Sequence, residues 1–180
     1  MATAGPNSPG TQGGGTGWTN PGNILASDDS RASITLAPLG GSETLWAKNF
    51  GFTVPTGATI DNIEVEVEGQ QDISSPNGGF IPQITKNNGS SFTDWSASGF
   101  LAFDIGADSY KSRSGPLSSW GSISLTAAEV NSANFGVGVR CDAGFASGDC
   151  TYQVDHIRVT ITYTEATTKP FRRSLLGVGF

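Results

Sequence analysis

Two distant stretches of the chain follow one pattern of apolar and polar positions: TIDNIEVEVEG at 59–69 and QVDHIRVTITY at 153–163. Each runs through an apolar residue, an aspartate, a polar residue and an isoleucine, and then alternates strictly. Ile63, Val65 and Val67 alternate with Glu64, Glu66 and Glu68; Ile157, Val159, Ile161 and Tyr163 alternate with Arg158, Thr160 and Thr162. A period of two predicts half-buried β-strands. In both copies the phase slips at the aspartate, Asp61 or Asp155, and such a slip predicts a bulge.

The same period marks further strands. RASITLAP puts Ala32, Ile34 and Leu36 on one face, and LWAKNFGFTVP puts Trp46, Phe50, Phe52 and Val54 on one, so that Trp46 reads as core. GFIPQIT (79–85), GFLAFDI (99–105), WGSISLT (120–126) and NFGVGVRC (134–141) are also expected as strands. One helical signal stands out: Thr126 followed three residues later by Glu129 is a capping box that opens a short helical turn. About eight short strands between Gly, Pro, Ser and Asn turns predict an all-β sandwich or jelly-roll-like domain. Two copies of a strand set no fixed period, so the repeat is strand grammar and not a solenoid.

The pattern divides the chain into three parts. Residues 1–17 are rich in Gly, Pro, Ser, Thr and Asn, offer no run of large apolar side chains, and are expected to be an arm outside the core. Residues 18–165 form the sandwich. Residues 166–180, ATTKPFRRSLLGVGF, form a tail in which Pro170 breaks any continuation of the last strand. Phe171, Arg172, Arg173, Leu175, Leu176, Val178 and Phe180 are the candidate docking residues of that tail. They are expected either to bind a neighbouring subunit or to fold back on their own sandwich.

Composition narrows the partners. The 180 residues suit one domain with a sizeable core. Gly 25 and Pro 9 make the chain turn-rich, yet below the roughly 25–30% typical of low-complexity disorder. Only 14% of residues are charged, and the net charge of −6 with a pI near 4.6 lacks the basic footprint of a nucleic-acid binder. No stretch approaches the length of a membrane span, and the start of the chain shows no secretory pattern; synthesis in a cytoplasm and no membrane partner are expected. Cys141 and Cys150 flank DAGFASGD, a turn-like segment that would allow either a hairpin disulfide or two free thiols. With one histidine in the chain, zinc is not expected.

Candidate chemistry is sparse. Glu64, Glu66 and Glu68 share one strand face and could bind calcium or serve glycoside hydrolysis, but a solvated outer face explains them more simply. Asp28 and Asp29, near Asn20 and Asn23, could ligate calcium, although Asx residues in turns usually bond their own backbone. Asp61 and Asp155 are expected to make local backbone bonds at their bulges. His156 has no nucleophile motif beside it, and Gly13–Gly15 lacks the strand and helix of a phosphate cradle. Trp95, in a loop-like stretch, is the tryptophan best suited to a surface role such as sugar stacking. No catalytic, cofactor-binding or metal-binding residue is assigned, and an enzyme is not expected.

WTNPGNILASDDSRA, NFGFTVPTGATIDNIEVEVEG, LTAAEVNSANFGVGV and VDHIRVTITYT together resemble β-rich structural proteins of tailed bacteriophages and prophages, over about residues 17–164. The resemblance implies a non-enzymatic virion component, either a capsid decoration (cement) or a tail-attached adaptor subunit. It also implies other virion subunits as partners, a homo-oligomeric state and a location on the virion. A glycan- or host-receptor-binding module of a fibre or spike is the alternative.

Overall fold

The two near-copies become the longest strands of the protein and pair with each other. In the computed structural model, which describes residues 1–93, 100–121 and 123–167, ten strands form two sheets. They are β1 (Ala2–Asn7), β2 (Thr11–Gly14), β3 (Ala32–Leu36), β4 (Leu45–Lys48), β5 (Thr59–Gln71), β6 (Gly79–Thr85), β7 (Asp104–Ile105), β8 (Ser109–Gly115), β9 (Gly136–Asp142) and β10 (Cys150–Thr164). One sheet is centred on β10 and β5: β1 and β3 pair with successive parts of β10, while β8 and β7 pair with β5. The other sheet has the order β2-β4-β9-β6. All ladders are antiparallel except the short β5–β7 pairing. This is an all-β sandwich with one short helix, α1 (Ala127–Val130), and 3-10 turns at Pro21–Ile24 and Leu117–Trp120.

Alternation decides which face each side chain takes. Ile63, Val65 and Val67 lie directly opposite Ile161, Val159 and Ile157, and all six are fully buried. Val137 and Val139 of β9 and Leu45 and Ala47 of β4 belong to the same core. Both predicted bulges are present. Thr162 pairs with Asn62 and Tyr163 with Ile60, which leaves Asp61 extra; Val154 pairs with Gly69 and His156 with Glu68, which leaves Asp155 extra. The two bulges therefore sit at opposite ends of one ladder. Gly69 is required beside the second, because a Cβ there would lie 2.2 Å from the Gln153 carbonyl oxygen and 3.0 Å from the Phe103 ring. The capping box is formed as expected, with Thr126 and Glu129 satisfying each other's backbone amides.

Several expectations are corrected. Residues 1–17 are not an arm outside the sandwich: β1 adds to β10 in one sheet and β2 adds to β4 in the other. Ladder formation needs backbone groups rather than large side chains, so a Gly- and Thr-rich segment can edge both sheets. Trp46 does not share the face of Phe50, Phe52 and Val54. Leu45 and Ala47 are the buried residues of β4, while Trp46 points the other way and is half-buried. The left-handed conformations of Asn49 (φ 62°) and Gly51 (φ 66°) break the alternation between them. The indole instead lies against glycines of β2, where a Cβ on Gly13 would come within 2.3 Å of the ring. Of the strand expected at 99–105, Leu101 makes a single bridge to Phe80 and Asp104–Ile105 form β7, while Gly99 lies outside the described residues. The strand expected at 120–126 is absent among the described residues: Trp120 closes a 3-10 turn and Gly121 (φ 74°) reverses the chain. In its place stands β8, SYKSRSG, a strand with no apolar alternation. Cys141 and Cys150 are buried free thiols.

Candidate functional site

The densest polar constellation lies on the face of the six-stranded sheet that points away from the core. Glu64, Glu66 and Glu68 are not an open row, because β10 flanks them on one side and β8 on the other. Opposite Glu66 stands Arg158, whose Nε and Nη2 each donate a 2.8 Å hydrogen bond to the carboxylate. The Arg158 guanidinium also stacks 3.8 Å from the centre of the Tyr110 ring. This bidentate pair raises the Arg158 pKa above its ordinary value, against the opposing effect of burial.

One step along the ladder, His156 follows the bulge at Asp155. It is 5% exposed. Its Nδ1 is 2.8 Å from the Tyr110 hydroxyl and its Nε2 is 3.0 Å from Ser8 Oγ, so both ring nitrogens are engaged. Burial holds the His156 pKa below its usual value despite the nearby Glu68 carboxylate. Burial likewise raises the Tyr110 phenol, helped by Glu68. A Ser-His pair at this distance, oriented by a third group, has the spacing used in nucleophilic catalysis. Here the third group is a neutral phenol, and the three residues tie the segment after β1, the start of β8 and the β10 bulge together.

The bulge sends Asp155 toward the loop before β3. Its Oδ2 accepts a 3.3 Å hydrogen bond from the Asp29 amide. This is a contact between distant segments, not the local backbone bond expected of it; Asp61 at the other bulge also reaches elsewhere, accepting from the Thr164 hydroxyl at 2.7 Å. Arg31 reaches over from β3's leading edge: its Nε donates to Asp108 Oδ2 at 2.7 Å, its Nη2 bonds the same oxygen, and it pairs with Asp29 Oδ1 at 3.4 Å. Asp28, by contrast, keeps the turn role expected of it, accepting from the Ser30 amide at 3.0 Å.

Sequence reasoning identified Asp28, Asp29, Asp155, His156 and the glutamate row, but missed Ser8, Arg31, Asp108, Tyr110 and the part played by Arg158. Only β10's bulge and β8's pairing bring these residues together. The tail residues Phe171, Arg172, Arg173, Leu175, Leu176, Val178 and Phe180, like Trp95, lie outside the described residues.

No family model and no curated protein matches the chain. Among solved structures, it is similar to a crystal structure of domains CD (residues 230-489) of a larger protein, with 15% identity and a TM-score of 0.46. The alignment covers 85% of this chain and 65% of that one.

Proposed function

We propose that this protein is a non-enzymatic structural subunit of a virion, a capsid decoration or tail-attached adaptor that binds neighbouring subunits through its C-terminal tail. The observation that carries the reading is the place where the last strand ends. Thr164 pairs with Thr59 at the rim of the sandwich. Beside that exit opens an apolar groove lined by Ala58, Ile60, Leu117, Leu125 and Ala127. The sequence beyond supplies Leu175, Leu176, Val178 and Phe180, apolar groups suited to the same groove on an adjacent copy. Burial of each such side chain is worth on the order of 1.5–3 kcal/mol before the cost of ordering. The sixteen residues after Thr164 (165–180) reach roughly 50 Å when extended, enough to cross to a neighbour.

Two further features support the reading. The surface is poor in charge, as suits a subunit crowded among others, and the polar groups around His156 serve as struts between strands. A chain ending at Thr164 should fold with an unchanged melting temperature but fail to self-associate or to join particles. Incorporation of that shortened chain at normal occupancy would rule out the tail as the docking element.

A further inference from the structure

Three carboxylates converge where the β10 bulge meets the loops before β3 and β8. Asp29, Asp108 and Asp155 each offer an oxygen, and these oxygens lie within 4.8 Å of one another. Two oxygens bound to a calcium ion at about 2.4 Å can stand no farther apart than about 4.8 Å, so the cluster has the span of a calcium site.

Proximity alone would not make it one. The second observation is that two of the three carboxylates, Asp108 and Asp155, each keep a buried oxygen without a hydrogen-bond partner. Asp155 is 1% exposed, and while its Oδ2 accepts from backbone amides, its buried Oδ1 has no hydrogen-bond partner. Asp108 repeats the arrangement: Arg31 takes Oδ2, and the buried Oδ1 is left without a partner. A buried carboxylate oxygen with nothing to bond is strongly unfavourable unless a cation or a proton compensates it.

Charge points the same way. Asp29, Asp108 and Asp155 bring three carboxyl groups around the Arg31 guanidinium, and Glu68 lies close enough to act on Asp155. A divalent cation would offset most of the excess. The Asp29 side chain is 87% exposed, which leaves the cluster open to solvent on that side and gives an ion a way in.

We infer that Asp29, Asp108 and Asp155 form a binding site for a hard divalent cation, with calcium preferred. Oxygen-only ligands favour calcium or magnesium over zinc or copper, and calcium's flexible coordination accepts carboxylates from three separate segments more readily than magnesium's strict octahedron. The ion would pin the loop before β3 and the loop before β8 to the β10 bulge, so its effect would be on stability and on the order of that edge. The inference does not depend on the virion reading.

The test uses the full chain, stripped with chelator and then titrated with calcium chloride, and separately with magnesium chloride, by calorimetry and thermal unfolding. Calcium should bind at one site per chain and raise the melting temperature by several degrees, reversibly with chelator, and magnesium should bind more weakly. Asp29 is exposed and left-handed (φ 64°), a conformation asparagine tolerates, so Asp29→Asn should fold normally while weakening calcium binding by at least about tenfold, because one charged ligand is lost. Asp155→Asn removes the buried charge, and should melt no lower than the wild type without calcium while losing the calcium response. The inference is overturned if the wild type binds neither ion at about 10 mM, well above the weakest range typical of such sites. Equal calcium binding by wild type, Asp29→Asn and Asp155→Asn would overturn it as well.

Discussion

Arg158 and Glu66 face each other across the β5–β10 ladder and are joined by two hydrogen bonds of 2.8 Å, with the Arg158 plane resting on Tyr110. The pair links three neighbouring strands of the sheet, since Tyr110 belongs to β8. Its side chains are 32% and 18% exposed, so solvent screens the attraction only in part. A double-mutant cycle with Arg158→Met and Glu66→Gln, followed by urea unfolding, should give a coupling energy of about 1 kcal/mol. A coupling within error of zero would show that the pair adds nothing to cohesion of the sheet.

The N-terminal segment should matter to stability. Removing residues 1–8 takes away β1, bares the edge of the second half of β10, and leaves His156 without Ser8. An uncovered strand edge invites pairing with other chains. The shortened protein should unfold at lower urea and elute from a sizing column in part as larger species. Unchanged stability and elution would return this segment to the role of a dispensable arm.

Acid should weaken the α1 cap. Lys86 bonds the Glu129 carboxylate at 2.8 Å, and the Thr126 amide donates to it at 2.8 Å. Lys86 first, and then the Thr126 amide, hold the Glu129 pKa below its ordinary value of 4.5. A depressed carboxylate pKa adds stability above the unfolded-state value, and that stability is lost as pH falls through the folded-state value. Glu129→Gln should therefore cost about 0.5–1 kcal/mol at pH 7 and progressively less below pH 4.5. A cost that stays constant from pH 7 to about pH 3 would show that the carboxylate charge is not what stabilises the cap.

The two thiols should be inert in the folded protein. Burial pushes the Cys141 thiol well above its ordinary pKa, and burial raises Cys150 too. The thiolate is the reactive form, so little of it is present at neutral pH. A thiol reagent at pH 8 should react slowly with the native chain and rapidly with two groups in denaturant. Rapid reaction of either cysteine without denaturant would contradict the packing around β9 and β10; only one or no reactive group in denaturant would indicate oxidation.

The strands whose alternation is set by burial were legible from the residues themselves. Ile63–Val67 and Ile157–Ile161 announce both their period and their inner face, and the slips at Asp61 and Asp155 mark real bulges, because a side chain's face follows from its parity along the strand. The capping box of Thr126 and Glu129 is equally local. The partners of those strands were decided only by the tertiary structure. β1, β2 and β8 are held largely by backbone ladders to neighbouring strands, so ATAGPN, TQGG and SYKSRSG carry no run of large apolar residues. Trp46 was misassigned because Asn49 and Gly51 reset the phase, a backbone conformation that alternation cannot register. The polar cluster was legible only in pieces. Asp29, Asp108 and Asp155 come from three separate segments, and it is the extra residue at the β10 bulge that places the last of them beside the other two.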